Sequence, residues 1–198
     1  MFAVVESGSI VSMPKGNKGI QIGDLKYPAS IFSLWTETER NAIGVYTVEI
    51  DNTNKKDDEW YVNTEITYSF GSGKVTGTYG TATAKAIEDT DAVDNEGNKL
   101  KDENGNQIIN EGLKTIKKRI IDNECAGLHA PSDWMVIKAT ETGTTMDSGW
   151  KTWRASVRTK CNSMQTQIDN ASDVDALAAL YERNDSGVRP LGDFPIKE

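Results

Sequence analysis

Thirty carboxylates, one histidine and two cysteines are the side chains of this 198-residue sequence that could carry acid–base, metal or nucleophilic chemistry. A Ser-His-Asp or Cys-His arrangement would have to run through His129. That residue sits between an apolar helical stretch and a proline turn, where a histidine held by structural hydrogen bonds is expected. Cys125 and Cys161 lie far apart with no CxxC spacing, and read as buried small apolar residues rather than a disulfide or a metal pair. No His/Cys cluster has the spacing of a zinc site. Asp102, Asn104 and Asn106 match the first, third and fifth places of a calcium loop. The sixth place, which needs glycine, is Gln107, and the twelfth, which needs a bidentate Glu, is Leu113. Gly73-Lys74 is half of a phosphate loop, but Tyr68 and Val75 stand where Gly and Ser/Thr belong, so a hairpin turn explains it. A pair of carboxylates is all that a glycosidase needs, and composition leaves that reading open. No catalytic residue, metal ligand or cofactor site is assigned.

Five tryptophans, at positions 35, 60, 134, 150 and 153, could form a stacking platform for sugars. Trp134, Trp150 and Trp153 fall on helical seams and are expected in a core. Trp60 and Tyr61 follow the charged turn KKDDE and are expected to be partly exposed. With Asn98 and Asn106 of an acidic repeat, they are the candidate partner-binding residues.

The elements that position these residues change character along the chain. Up to residue 87, short apolar runs (Phe2–Val5, Ile10–Met13, Ile20–Ile22, Val45–Ile50, Trp60–Val62, Ile66–Phe70, Val75–Tyr79) are separated by Ser-Gly, Gly-Asn and Gly-Asp pairs, the pattern of strands and hairpins. Thr36 and Glu39 predict a capping box opening one short helix, which Gly44 stops; Trp35 is placed to staple its start. Residues 88–112 are acidic and rich in Gly and Asn. They contain an eight-residue echo, DNEGNKLK at 94–101 and DENGNQII at 102–109, predicting an exposed hairpin or linker arm. From Leu113 the period becomes helical, with Leu113, Ile116, Ile120, Ile121, Cys125 and Leu128 on one stripe. The cluster Lys114 to Arg119 reads as the wet side of that helix. His129-Ala130-Pro131 predicts a break, with Ser132 capping a second helix that ends near Gly143. A third helix carries Trp150, Trp153, Val157, Cys161, Met164 and Ile168. Ser172 and Asp175 open a last helix, and the tail RPLGDFP is expected to pack as a strap through Leu191 and Phe194. The fold class is α+β: a β-rich domain over 1–87, a polar arm over 88–112 and a small helical domain over 113–198.

Net charge is −8 and the sequence pI about 4.8. Nucleic acid and anionic membrane both demand clustered Lys and Arg, so neither is expected as the main partner. No apolar run reaches the ~20 residues that span a bilayer. The N-terminus MFAVVESGSI lacks the basic start and long apolar stretch of a signal peptide, so synthesis in a cytoplasm is expected.

Several segments resemble bacteriophage tail proteins when taken in order. YPASIFSLWTETERNAIGVYTV is similar to a segment of tail-associated proteins in which a Tyr-Pro pair leads into a short Glu-Arg helix and a Gly-initiated strand. APSDWMVIKATETG, WKTWRASVRTKCNSMQTQID, DVDALAALY and RPLGDFP together resemble the helical C-terminal module of tail fibre assembly proteins and their tail-fibre-locus relatives. Ser132 replaces the usual Thr, Lys138 the commoner Arg, and Phe194-Pro195 stands where Trp-Pro is frequent. The resemblance covers roughly 85 residues at the C-terminus and about 25 nearer the N-terminus. It implies a non-enzymatic protein of the virion tail, made in the host cytoplasm. Its partners would be the tail fibre protein and baseplate subunits, within a symmetric assembly. The alternatives it implies are a transient assembly chaperone absent from the virion, or a baseplate or tail-tip adaptor.

Overall fold

The computed structural model describes residues 1–197, and its backbone contacts divide the chain into two compact units, Met1–Thr83 and a second beginning at Ala84. Strands dominate the first and helices the second, so the α+β class expected from the sequence is what the chain adopts.

The first unit contains β1 (Phe2–Glu6), β2 (Ser9–Ser12), β3 (Ile20–Ile22), β4 (Leu25–Tyr27), α1 (Ile31–Leu34), α2 (Glu37–Ala42), β5 (Val45–Asp51), β6 (Tyr61–Val62), β7 (Ile66–Gly71) and β8 (Lys74–Tyr79). A two-residue β9 (Thr83–Ala84) pairs with β6. Five strands form a sheet in the order β2-β1-β5-β8-β7. β1–β2, β1–β5 and β7–β8 are antiparallel, whereas β5–β8 is parallel, with Val48 opposite Val75. β7 and β8 turn through Ser72 and Gly73, both at positive φ (52° and 76°), the left-handed pair whose twist matches a two-residue hairpin. β1 is buried on both sides. Val4 packs with Ile31, Phe32 and Val45 on one face; Ala3 and Val5 pack with Val75 on the other. Strand alternation puts Val4 opposite its two neighbours. The expected capping box forms: Glu39 N–H donates to Thr36 Oγ1 (3.3 Å) while the Thr36 N–H donates to Glu39 Oε2 (2.7 Å). Trp35 packs with the first cluster, and the fourth helical residue, which a staple would meet, is Arg40 rather than an apolar side chain. α1, one turn ahead of the capping box, had no signal in the sequence.

The second unit opens with the acidic arm, which is built more tightly than a linker. β10 (Thr90–Asp91) pairs with β11 (Ile109–Asn110) at its base. Gly112 N–H donates to Asp89 Oδ1 (2.7 Å) and Leu113 N–H to the Ala86 carbonyl (2.9 Å). A Cβ on Gly112 would overlap the Glu88 backbone, so only glycine permits this closure. The arm thus belongs to the helical unit, and the break in the chain falls at 83/84 rather than at 87/88.

Within the arm the sequence echo becomes a structural one. Asp94 Oδ1 accepts the N–H groups of Glu96 (2.8 Å) and Asn98 (2.9 Å), and Asp94 Oδ2 accepts from Asn98 Nδ2 (3.1 Å). Asp102 repeats this with Asn104 (2.9 Å), Asn106 (2.8 Å) and Asn106 Nδ2 (3.1 Å). Residues 92, 100 and 108, eight apart, close a ring of backbone hydrogen bonds: Ala92 N–H donates to Ile108 O, Ile108 N–H to Leu100 O, and Leu100 N–H to Ala92 O (2.8–2.9 Å). Each residue of the ring is donor and acceptor once, an approximate threefold arrangement inside one chain.

Three helices follow: α3 (Leu113–Thr142), α4 (Ser148–Asp169) and α5 (Val174–Ala179). Two expectations fail here. The helix does not break at Pro131; α3 runs through it. Lys117 is buried (6% exposed), with its Nζ 4.8 Å from the Tyr181 ring centre, so the Lys114–Arg119 cluster is not wholly a wet face. Its neighbours are: Lys118 reaches Asp169 (2.7 Å) and Arg119 reaches Glu111. α4 matches its predicted seam, with Val157, Cys161, Met164 and Ile168 buried. α5 is capped one residue later than expected, by Asp173, whose Oδ1 accepts from Ala176 N–H (2.8 Å). The tail is a strap as expected. Leu191 is fully buried, Lys160 Nζ donates to its carbonyl (2.7 Å), and Trp153 Nε1 donates to the Pro195 carbonyl (3.0 Å). Ile121, Met164, Ile168, Leu177 and Leu191 are all below 2% exposed, each contributing roughly 1.5–3 kcal/mol of burial.

The arm carries a pH dependence. Asp94 is held below the ordinary carboxylate range, first by the Asn98 N–H and then by the Asn98 side-chain amide. Asp102 is held below it by the Asn106 amide and then the Asn106 N–H. Protonation is therefore harder in the folded arm than in an unfolded chain. The stabilisation is fully present above the unfolded carboxylate range, about pH 4, and is lost as pH falls through the depressed folded values. Amide resonances of Asn98 and Asn106 should hold their hydrogen-bonded positions to below the ordinary carboxylate range, each then being lost as its own aspartate is protonated. In Asp102→Ala the Asn106 resonance should shift at every pH while that of Asn98 stays; equal loss of both would show that the turns are not independent.

Candidate functional site

The candidate partner-binding residues divide between the two units. Trp60, expected to be partly exposed, is buried (6%). Tyr61 is half-buried, with Lys56 Nζ 5.5 Å from its ring centre. The charged turn before them does not hold them out: Asn63 bonds back to Lys56 and Asp58, folding KKDDE over on itself. The error is mirrored in the helices. Trp134, expected in a core, is 56% exposed, whereas Trp150 and Trp153 are half-buried in an edge-to-face pair 5.6 Å apart. Asn98 and Asn106 are exposed at equivalent places of the arm, but their side-chain amides are spent on Asp94 and Asp102.

The residue that sequence reasoning did not single out is Arg154. Its side chain, 12% exposed, leaves α4 and forks across α3: Nη1 donates to the His129 carbonyl (2.8 Å) and to Ser132 Oγ (2.6 Å), and Nη2 to Asp133 Oδ1 (2.7 Å). Ser132 is fully buried and donates to the His129 carbonyl (2.9 Å). It is not the helix cap expected from its place after Pro131. Proline removes the N–H that would have reached the Gly127 carbonyl and crowds that turn. The His129 carbonyl, two residues ahead of the proline, takes both the Ser132 hydroxyl and the Arg154 guanidinium. These contacts tie α4 to the turn of α3 that holds the proline. The signal was present in sequence as PSDW and WKTWR, two segments of the resemblance that meet here.

His129 is fixed at both ring nitrogens. Nε2 lies 3.1 Å from the Arg154 carbonyl, which can only accept, so Nε2 carries the proton and Nδ1 accepts from the Cys125 thiol (3.7 Å). A Cys–His pair with an oriented imidazole has the form of a nucleophilic dyad. Here the sulfur is buried between helices, and neither cavity at this end of the unit is lined by it. Burial, with Cys125 and Asp122 beside it, pushes the Cys161 thiol up to about 12, the opposite of activation. Among the described residues no group of three His, Cys, Asp or Glu side chains is placed to hold a metal ion. The calcium-like Asp102 has its oxygens turned to backbone and Asn106 amides, and Gly73-Lys74 is the end of a hairpin.

Two adjoining open cavities, of about 530 and 520 Å3, lie where α3 ends and α4 begins. One runs between Val136 and Ala139 of α3 and Lys151 and Arg158 of α4; the other is bounded by Trp134, Lys138 and Trp150. Lys151 and Arg158 have no ionic partner among the described residues. Val136 and Ile137 are 42% and 58% exposed. No family model, no curated protein and no solved structure matches the chain.

Arg154→Ala should lower stability by about 2–3 kcal/mol, because the buried Ser132 hydroxyl and the His129 carbonyl lose a charged donor. Arg154→Lys should recover under half of that, since an ammonium cannot fork across three acceptors. Urea unfolding followed by the helical signal measures both, and unchanged midpoints would remove Arg154 from its assigned role. Iodoacetamide at about pH 8 should leave Cys125 and Cys161 unlabelled in the native protein and label both in urea. Native labelling of Cys161 would contradict its raised pKa.

Proposed function

We propose that this protein is a bacteriophage tail component that acts by protein–protein binding at the tail fibre, in a structural or assembly role and without a catalytic step. The observation that carries the reading is the meeting of PSDW and WKTWR. Two of the segments that resemble the tail fibre assembly module pack against each other through Arg154, which supports reading them as one unit. The strap brings a further segment, RPLGDFP, onto α4 through Trp153 and Lys160. The partner is the fibre protein, and baseplate subunits where the protein stays in the particle. A transient assembly chaperone is the alternative within the same reading.

Quantitative mass spectrometry of purified particles against the lysate separates these outcomes. A fixed ratio to the fibre protein supports a resident tail subunit; abundance in the lysate with absence from particles supports a chaperone. Co-expression with the neighbouring fibre gene should raise the yield of soluble fibre trimer if the role is assembly. Absence from particles together with no effect on fibre yield overturns the proposal.

A further inference from the structure

Charge is distributed unevenly along the chain. Residues 88–112 hold eight carboxylates against two lysines, so six of the eight net negative charges lie in this one arm. Around the α3–α4 junction, residues 131–160 hold five Lys or Arg against three Asp or Glu. Asp133 and Arg154 offset each other, which leaves Lys138, Lys151, Arg158 and Lys160 against Glu141 and Asp147, the last of which caps α4 by accepting from Trp150 N–H (3.0 Å). The junction is therefore a local cationic site on an acidic protein, with Lys151 and Arg158 exposed on its wall.

Both regions also display apolar surface. On the arm, Val93, Leu100, Ile108 and Ile109 are 41–51% exposed. Leu100 and Ile108 occupy equivalent places in the hydrogen-bonded ring, with Glu96 and Glu103 exposed beside them. At the junction, Val136 is exposed on a cavity of about 530 Å3 and Trp134 on the adjoining one of about 520 Å3, within the size range of binding pockets and roomy enough for branched aliphatic side chains. Tryptophan and arginine in one apolar patch is the composition of an interface hot spot. Exposed aliphatic groups on so polar an arm mark it as a contact surface.

We infer that a second copy of this chain is the occupant: the arm of one copy docks in the α3–α4 junction of the next. The arm offers an apolar centre with an acidic rim, and the junction offers an apolar centre with a cationic rim. Within one chain the arm's aliphatic side chains are exposed, so a chain does not satisfy its own junction. Arm and junction are different patches, so the contact is head-to-tail; each pair leaves one arm and one junction free, and closure produces a ring. The inference concerns the purified chain alone and stands whether or not a tail fibre is the biological partner.

Sedimentation velocity over a range of protein concentrations tests it. At low salt the full chain should sediment faster as concentration rises, passing beyond a dimer. At about 0.5 M salt, where the Debye length is roughly 4 Å, the association should weaken severalfold. Glu96→Lys with Glu103→Lys on the arm, and separately Lys151→Glu with Arg158→Glu at the junction, should each weaken self-association at least tenfold. All four residues are exposed, and circular dichroism confirms that each variant is folded. Mixed together, the two variants should pair one to one, because the unaltered arm of the junction variant fits the unaltered junction of the arm variant. A chain that stays monomeric at every concentration overturns the inference. So does association that neither reversal weakens, or a pair of weakened variants that do not combine.

Discussion

A guanidinium drawn between two helices governs the C-terminal unit. α3 is 30 residues long and contains a proline near its middle, which on local energetics should end it. The helix nevertheless runs through it, and Arg154 ties α4 to that turn by bonding the His129 carbonyl, Ser132 and Asp133. The same contact fixes α4 against α3 and sets the face on which Val157, Cys161, Met164 and Ile168 are buried. The Ser132 hydroxyl and the Asp133 carboxylate are oriented by it, and the His129 imidazole by the Arg154 main-chain carbonyl. What could pass for a polar catalytic cluster is a joint between two helices.

The arm poses the opposite problem, order without a core. Its apolar residues are few and mostly exposed, so burial cannot hold it. Two aspartates do so by gathering amide donors, each organising its own five-residue turn. The three-way ring of backbone bonds then ties the two turns to the start of the arm. Carboxylates that bind backbone amides satisfy groups that would otherwise need a sheet partner, which is how so polar a segment becomes a defined surface.

Order in the arm and openness at the helix junction give the proposed binding role a physical basis. A preorganised arm loses little conformational freedom on docking, and a groove with unpaired cations gains by meeting carboxylates. The protein's overall negative charge keeps the isolated chains apart except where the two patches meet.

The sequence by itself determined the α+β class, nearly every strand of the first unit, the capping box at Thr36, the seam of α4 and the strap through Leu191. These follow from periodicity and from contacts a few residues apart, which a sequence states directly. It located the eight-residue echo of the arm but not the ring that joins its copies, because hydrogen bonds between residues 92, 100 and 108 are not local. It misplaced Trp60 and Trp134, since exposure of a large aromatic depends on what packs beside it and not on the charge of the preceding turn. The helix through Pro131 was decided by tertiary structure alone. Local rules weigh a proline by the hydrogen bond it removes, whereas the packing of α4 across that turn, with Arg154 at its centre, joins residues more than twenty apart. The parallel pairing of β5 with β8 belongs to the same class: strand propensity fixed both segments, and only the crossover of the chain fixed their direction.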